Sequence, residues 1–401
     1  MLPSSTIYGW NGTRMTLAAF RTASGQAAHD RESDNNVDKR DSANSAAPGY
    51  QTTDEWGVAR VDDWAVPNTG ASPTSYADRG ATELVRYPSA QLRAVLNLAA
   101  DSVQLDASAS QPGSALIASY RFTFGDGTTV TQTSPRITHR YAKPGNYHVA
   151  VDVIGTDNRS TSAGRDVSVL RRLATVGLLA VGNQRYVGRD PKSGGPLGPN
   201  RTTLDSTAEF DVADAGNGQV ALFSRADQGY LTTDATGSAA LTPGLPTVTT
   251  PQRFTMQQNS DGTVSLKSAA NGRYVSTNAS GSLIPSATAV GPATKFYRAN
   301  VADANKSLRQ AIVRRFVTAD PAGTKPLIAN STTAGSNERF DLVDLGGGRV
   351  ALFAHANRRF VVADAAGTRP LIARTTAVGS DLRGGRRFLV SGQRSRIAVT
   401  P

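Results

Sequence analysis

An aromatic residue followed by a branched apolar one returns through the C-terminal half of this chain at nearly constant steps. No other feature limits the fold as much. The pairs are Tyr186-Val187, Tyr230-Leu231, Tyr274-Val275, Phe316-Val317 and Phe360-Val361, with steps of 44, 44, 42 and 44 residues. A leucine stands eight residues before each aromatic (Leu178, Leu222, Leu266, Leu308, Leu352), and a second aromatic closes each unit (Phe210, Phe254, Phe296, Phe340, Phe388). Units two to five add a glycine seven residues after the first aromatic: Gly237, Gly281, Gly323 and Gly367. A fixed period of this length marks an array of supersecondary units, each too small to bury its apolar face alone.

Each unit holds four short apolar runs separated by Gly, Pro, Asn and Asp turns. In unit five these are Val350-Ala351-Leu352-Phe353, Arg359-Phe360-Val361-Val362, Pro370-Leu371-Ile372-Ala373 and Arg387-Phe388-Leu389-Val390. Four strands per unit suit a trefoil repeat or a propeller blade. Blades of this length carry a His and a Trp-Asp signature, and no Trp follows Trp64. The expectation is a trefoil. The units resemble the fascin-like β-trefoil family, best at Asn271-Gly272-Arg273-Tyr274-Val275 and Gly348-Arg349-Val350-Ala351-Leu352. The Gln-x-Trp motif of ricin-type lectins is missing, so that family's sugar sites do not transfer.

Three units close one trefoil by pseudo-threefold symmetry. Units one to three therefore predict a complete lobe over 174–300, and units four and five an incomplete one over 301–391. Residues 392–401 are left as a tail, too short for a sixth unit. An open lobe exposes strand edges and apolar surface, which implies truncation, dimer pairing or docking onto a neighbour.

Aromatics at matched positions of a symmetric repeat are expected in its core, here Tyr186, Tyr230, Tyr274, Phe316 and Phe360. Arg185, Arg273, Arg315 and Arg359 precede four of them. With the aromatic turned inwards, strand alternation turns the Arg outwards. These four are the candidate ligand-binding set, able to grip carboxylate or sulfate groups on a glycan. Net charge is +11, and residues 301–401 carry 16 basic against 7 acidic side chains. A general preference for Arg explains much of that excess, since only 7 of the 43 basic residues are Lys.

Residues 94–170 change character. Val103-Gln104-Leu105-Asp106-Ala107-Ser108 alternates apolar and polar, and Tyr147, Val149, Val151 and Val153 alternate strictly, as half-buried strands do. Between them Phe122-Thr123-Phe124-Gly125-Asp126-Gly127 runs into an Asp-Gly turn, and His139-Arg140-Tyr141-Ala142-Lys143-Pro144-Gly145 follows. These motifs resemble a PKD domain, an immunoglobulin-like β-sandwich, with Phe122 and Thr123 in place of the family's Trp and first Asp. The resemblance implies a spacer or a glycan or protein contact on an extracellular protein. His139 is expected to pack and hydrogen-bond, and Asp126 to hold its turn.

Residues 1–90 are polar and acidic, with 8 basic and 11 acidic side chains. Trp10-Asn11-Gly12-Thr13 and Leu17-Ala18-Ala19-Phe20 are candidate strand rungs. Trp56-Gly57-Val58-Ala59-Arg60-Val61-Asp62-Asp63 precedes Ala77-Asp78-Arg79-Gly80-Ala81-Thr82-Glu83. That order resembles the closing turns of secreted right-handed parallel β-helix proteins, a group that includes polysaccharide lyases and hydrolases. The middle rungs that carry catalysis in them are not in this chain. Asp30, Glu32, Asp34, Asp54, Glu55, Asp62 and Asp63 are expected to cap turns and solvate loops.

The whole is expected to be all-β: a partial parallel β-helix end, an immunoglobulin-like β-sandwich, then one complete and one incomplete β-trefoil. Absence of Cys excludes disulfides, thiol catalysis and Cys-zinc sites. The four His are scattered, and no phosphate loop, His-Glu-x-x-His or nucleophile elbow occurs. No catalytic residue, metal or cofactor is assigned. The expected role is non-catalytic binding or targeting to a polysaccharide or glycan, neutral or acidic, outside the cell or on its surface. A protein-bridging module is the alternative, and a remnant of a polysaccharide lyase or hydrolase the third. Nucleic acid is not an expected partner. Membrane insertion is not expected either, because no run reaches about 18 apolar residues. Met1-Leu2-Pro3-Ser4-Ser5-Thr6 lacks the basic and apolar regions of an export signal, so the chain reads as a fragment whose signal lies upstream.

Overall fold

The computed structural model describes residues 8–11, 13–25, 41–63, 66–71, 73–78, 83, 85–189, 195–363, 370–378, 384–385 and 397–400. Phe388, Gly367 and the acids Asp30, Glu32 and Asp34 lie outside them.

The alternation in 94–170 builds two facing sheets. One contains Arg93–Asn97, Ser102–Asp106 and Arg136–Arg140; the other runs in the order Thr129–Gln132, Ile117–Thr123, Gly145–Gly155, Ser160–Val169. Val149, Val151 and Val153 face inwards and are fully buried against Leu105, Phe122 and Phe124. The turn needs its glycines: Gly125 and Gly127 sit at φ +81° and +92°. At Gly125 a Cβ would also meet the His148 carbonyl oxygen at 2.7 Å.

Residues 172–300 form a closed six-stranded barrel. Its strands are Arg172–Ala180, Phe210–Gly216, Gln219–Ser224, Phe254–Gln258, Val264–Ser268 and Phe296–Asn300. Each pairs with the next, and Arg172–Ala180 closes the ring by pairing with Phe296–Asn300, placing Leu178 opposite Arg298. A short hairpin caps each unit, as at Tyr186–Gly188 with Gly198–Arg201. This is the trefoil the repeat predicts. Its core consists of threefold sets: Leu178, Leu222 and Leu266; Val187, Leu231 and Val275; Leu197, Leu241 and Leu283; Phe210, Phe254 and Phe296.

The aromatics expected in that core are not in it. Val187, Leu231 and Val275 take the inward positions, so alternation sends Tyr186, Tyr230 and Tyr274 to the outer face of the lobe. Tyr186, Tyr230 and Phe360 are nevertheless fully buried, because neighbouring parts of the chain cover them. Tyr274 and Phe316 are only partly buried.

Units four and five repeat the same strands, with a hairpin at Arg339–Gly346 and Arg349–Ala354. Its turn, Gly346-Gly347-Gly348, has all three residues at positive φ. The last residues are not a free tail. Ile397–Thr400 pairs with Lys306–Gln310, Val399 opposite Leu308, as Arg298 stands opposite Leu178 in the first lobe. The edge expected to stay open is thus covered by a single strand standing where a sixth unit would close the ring. The lobes are themselves joined by a ladder pairing Arg298 with Asp344 and Ala299 with Val343.

Upstream of the sandwich, Tyr8–Trp10 and Thr13–Met15 form a hairpin with Asn11 at φ 47°. Leu17-Ala18-Ala19-Phe20 is not a strand rung: it opens the α-helix Leu17–Ser24. Thr16 caps that helix by accepting from the Ala19 N–H, and Gly25 ends it at φ +69°. Between 41 and 90, described residues show isolated bridges, including a parallel one from Asn44 to Ala71.

Candidate functional site

The turn before each repeated aromatic shares one backbone feature in all five units. The residue two places before the aromatic is left-handed: Gln184, Gln228, Gly272, Arg314 and Arg358 lie between φ 52° and 69°. One residue earlier, Asn183, Asn271 and Asn357 each donate a side-chain N–H to a carbonyl across the capping hairpin, at Pro199 (2.9 Å), Pro285 (2.9 Å) and Ala373 (2.7 Å). These bonds lock the turn against the hairpin and aim the next residue outwards.

Three of the four predicted arginines make matching bonds. Arg185 donates to the Asn200 carbonyl (3.1 Å), Arg273 to that of Ser286 (3.4 Å) and Arg359 to that of Arg374 (2.9 Å). One guanidinium nitrogen is used in each, and no ion pair to a carboxylate forms among the described residues. Arg273, Arg315 and Arg359 are exposed, and Arg185 is half-buried. The set therefore stands on matched turn tips spread over both lobes rather than converging on one pocket.

Unit four departs from the pattern. Val313 replaces the locking Asn and is 55% exposed, beside Ile312 at 69%. Arg309 lies 5.7 Å over the Phe316 ring, and neither Arg314 nor Arg315 has an ion pair among the described residues.

The outer-face aromatics turn out to be joints between parts of the chain. Tyr230 donates its hydroxyl to the Ser168 carbonyl (2.6 Å), and its ring packs edge-on against Phe223 at 5.1 Å, in one apolar cluster with Val167 and Val169 of the sandwich. Ser168 is further held by Pro246 and Val248. Tyr186 donates to Asp341 of the second lobe (2.6 Å); Asp341 is fully buried and also accepts from the Asn305 N–H (2.7 Å), with His355 at 2.8 Å. Burial first, and the Asp341 charge second, hold the Tyr186 hydroxyl far above its ordinary pKa. Phe360 packs on Tyr297 of the first lobe at 4.8 Å. Sequence periodicity places these residues but not their partners. The available signal is the alternation of Tyr with Phe, since a buried Tyr at a repeated position needs an acceptor for its hydroxyl.

Elsewhere the chemistry-bearing groups are engaged in structure. His139 bonds Asp126 (2.7 Å) and stacks on Phe124 at 4.1 Å, the packing role expected of it. Burial pushes the Asp126 carboxyl up, but bonds from His139 and Thr128 outweigh it and hold the group below its usual range. Near the N-terminus, Asp54 accepts from the Trp56 and Val58 N–H groups, and Glu83 pairs with Arg60 at 2.9 Å. Asp63 is paired with Arg86, and Asp41 is 1% exposed with a carboxyl pushed up to about 6 by burial and by Asp78, Asp62 and Asp63. Asp54 thus caps a turn, as expected, whereas Glu83 and Asp63 pair with arginines 23 residues away. Among the described residues no group of three metal-ligating side chains converges, and no helix is long and apolar enough to cross a membrane.

The architecture is that of a modular β protein, an immunoglobulin-like sandwich fused to trefoil lobes. More particularly, residues 86–169 match the PKD domain family and residues 227–344 the FRG1-like domain family. The second match runs from unit two into unit four, across the junction between the lobes. Among solved structures, the first PKD domain of Vibrio cholerae metalloprotease PrtV is 26% identical, over 21% of this chain and 96% of that one (TM-score 0.19). The designed threefold-symmetric protein ThreeFoil is 13% identical, over 31% and 96% (TM-score 0.29). A structure described as a carbohydrate-binding module of the β-sandwich superfamily with promiscuous specificity is 31% identical, over 21% and 34% (TM-score 0.19). None of the curated proteins matches the chain.

Proposed function

We propose that this chain is a non-catalytic, extracellular carbohydrate-associated binding and targeting protein, the C-terminal part of a polysaccharide-active or surface β-helix protein. The supporting observation is the distribution of free chemistry. Buried acids and histidines are tied into turns and joints, whereas Arg185, Arg273, Arg315 and Arg359 stand at matched tips with no carboxylate partner among the described residues. Spaced guanidinium groups suit an extended ligand that offers a carboxylate or sulfate at intervals. The PKD domain at 86–169 supports an extracellular setting. The β-helix origin of 1–90 draws on its turn motifs and on the parallel bridge from Asn44 to Ala71, the kind of pairing successive coils make.

Retention of the purified chain on acidic polysaccharides at rising salt tests this function. Replacing the four arginines by Gln is expected to lower retention at least tenfold. Unchanged retention would remove the arginines from the account, and no retention on any polysaccharide would end it.

A protein-bridging role is the second reading. It is favoured by one observation, the exposed Ile312-Val313 pair in unit four, where an apolar residue stands in place of the turn-locking Asn. Capture of one protein partner, lost in Ile312→Ser/Val313→Asn, would support it. A lyase or hydrolase remnant would need an acid at a surface. Asp41 has a suitably raised carboxyl, but at 1% exposure no polymer reaches it.

A further inference from the structure

Unit two is the one repeat with no Arg before its aromatic; Gln228-Gly229 stands there instead. Its turn faces the sandwich. Between the two lies a cleft of about 410 Å³, walled by the strand end Val95–Asn97 on one side and by Glu209, Asp211, Phe223, Arg225 and Gln228 on the other. Shared burial of Val167, Val169, Phe223 and Tyr230, together with the Tyr230 to Ser168 bond, fixes the two walls relative to one another. The cleft is a preformed feature of the joint.

We infer that this cleft binds one neutral sugar unit of a polysaccharide, which rests on and narrows the carbohydrate-binding function proposed above. Its lining is rich in acceptors. Gln228 donates its amide N–H to the Arg225 carbonyl (2.8 Å), which sets the orientation of the amide, and its Oε1 is left buried without any partner. Such an acceptor is costly to leave bare, and a ligand hydroxyl supplies the missing donor. Asp211, 3% exposed, accepts from Thr175 Oγ1 (2.5 Å), and Glu209 pairs with Arg225 (2.8 Å). The Arg225 to Asp211 approach is looser, at 4.0 Å.

Two carboxylates against one guanidinium leave the cleft with excess negative charge, which repels uronates and sulfated sugars. A polyol with several hydroxyl donors suits fixed carboxylate and amide acceptors, and the buried Leu96 and Phe223 make the base of the cleft rigid. The volume falls within the range of small-molecule sites. The outward arginines and this cleft thus differ in the ligand charge they favour, so the two can be separated by experiment.

Titration calorimetry of the full chain with neutral gluco-, manno-, xylo- and galacto-oligosaccharides provides the test, using Gln228→Leu, which removes the bare acceptor, and Ala226→Trp, which fills the cleft from an exposed position. Thermal melts verify that each variant folds. At least one oligosaccharide series is expected to bind, with affinity at least tenfold weaker in both variants. Equal affinity in the folded variants would overturn the inference. So would absence of neutral binding in a chain that still holds acidic polysaccharide, an outcome that leaves the broader function standing. Absence of both would refute the two together.

Discussion

The hydroxyl of Tyr230 donates to the carbonyl oxygen of Ser168 across 2.6 Å, tying the outer face of the second trefoil unit to the last strand of the PKD sandwich. Tyr186 does the corresponding thing at the other joint, reaching Asp341 at the same distance. Matched positions of the repeat have become the hinge points of the chain, and the predictions follow from what covers each of them.

Tyr230→Phe keeps the ring and leaves the Ser168 carbonyl without its buried donor. The expected cost is about 1–3 kcal/mol, read as a lower urea midpoint for the sandwich and first lobe with the slope unchanged. A loss within error would show that water replaces the bond.

Tyr230→Ala and Tyr274→Ala truncate the same repeat position in different surroundings. Tyr230 is fully buried, whereas Tyr274 is partly open and bonds its hydroxyl to Gln257 (2.7 Å). Tyr230→Ala is expected to cost about 3–5 kcal/mol by loss of a buried aromatic, and Tyr274→Ala well under half of that. Equal costs in denaturant titrations would mean that the joint contributes nothing.

Asp341→Ala removes one buried acceptor from two donors, Tyr186 and Asn305, and a carboxylate that lies 2.8 Å from His355. Breaking such a buried network costs about 3–5 kcal/mol. Hydrogen exchange should speed up on both sides of the lobe junction, in the strand Lys306–Gln310 and around Tyr186. Faster exchange confined to the second lobe would contradict its role as a joint.

Asp41 gives the N-terminal region a pH dependence. Its folded carboxyl lies near 6 against 3.8 in the unfolded chain, so folding binds the proton more tightly. That stabilising contribution is complete below about 3.8 and is lost as pH rises through about 6. Hydrogen exchange across 41–78 is expected to be slower at pH 5 than at pH 7 after correction for intrinsic rates. In Asp41→Asn the difference should shrink, and an unchanged difference would place the titration elsewhere.

Much of this architecture was legible because periodicity is a physical constraint. The leucines and closing phenylalanines name the barrel core, and Val149, Val151 and Val153 name one sandwich face. The direction of Tyr186, Tyr230 and Tyr274 was not legible. In a strand beginning at the aromatic, the inward place goes to the next residue, and only the neighbour's packing makes the outward Tyr buried. Ile397–Thr400 was missed because a lone closing strand carries no repeat. Leu17-Ala18-Ala19-Phe20 was misjudged because a short apolar run does not reveal its period, whereas Thr16 and Gly25 at its ends do. At the candidate site, the four arginines could be read from the repeat. The cleft could not, since Val95–Asn97 and Gln228 meet only through the joint.

The claim that binding occurs without catalysis is tested most directly by affinity electrophoresis of the full chain through gels containing neutral or acidic polysaccharide, with the polymer's length measured after prolonged incubation. The account predicts retarded migration in at least one gel and polymer of unchanged length. Unretarded migration in every gel, or shortened polymer, would contradict it.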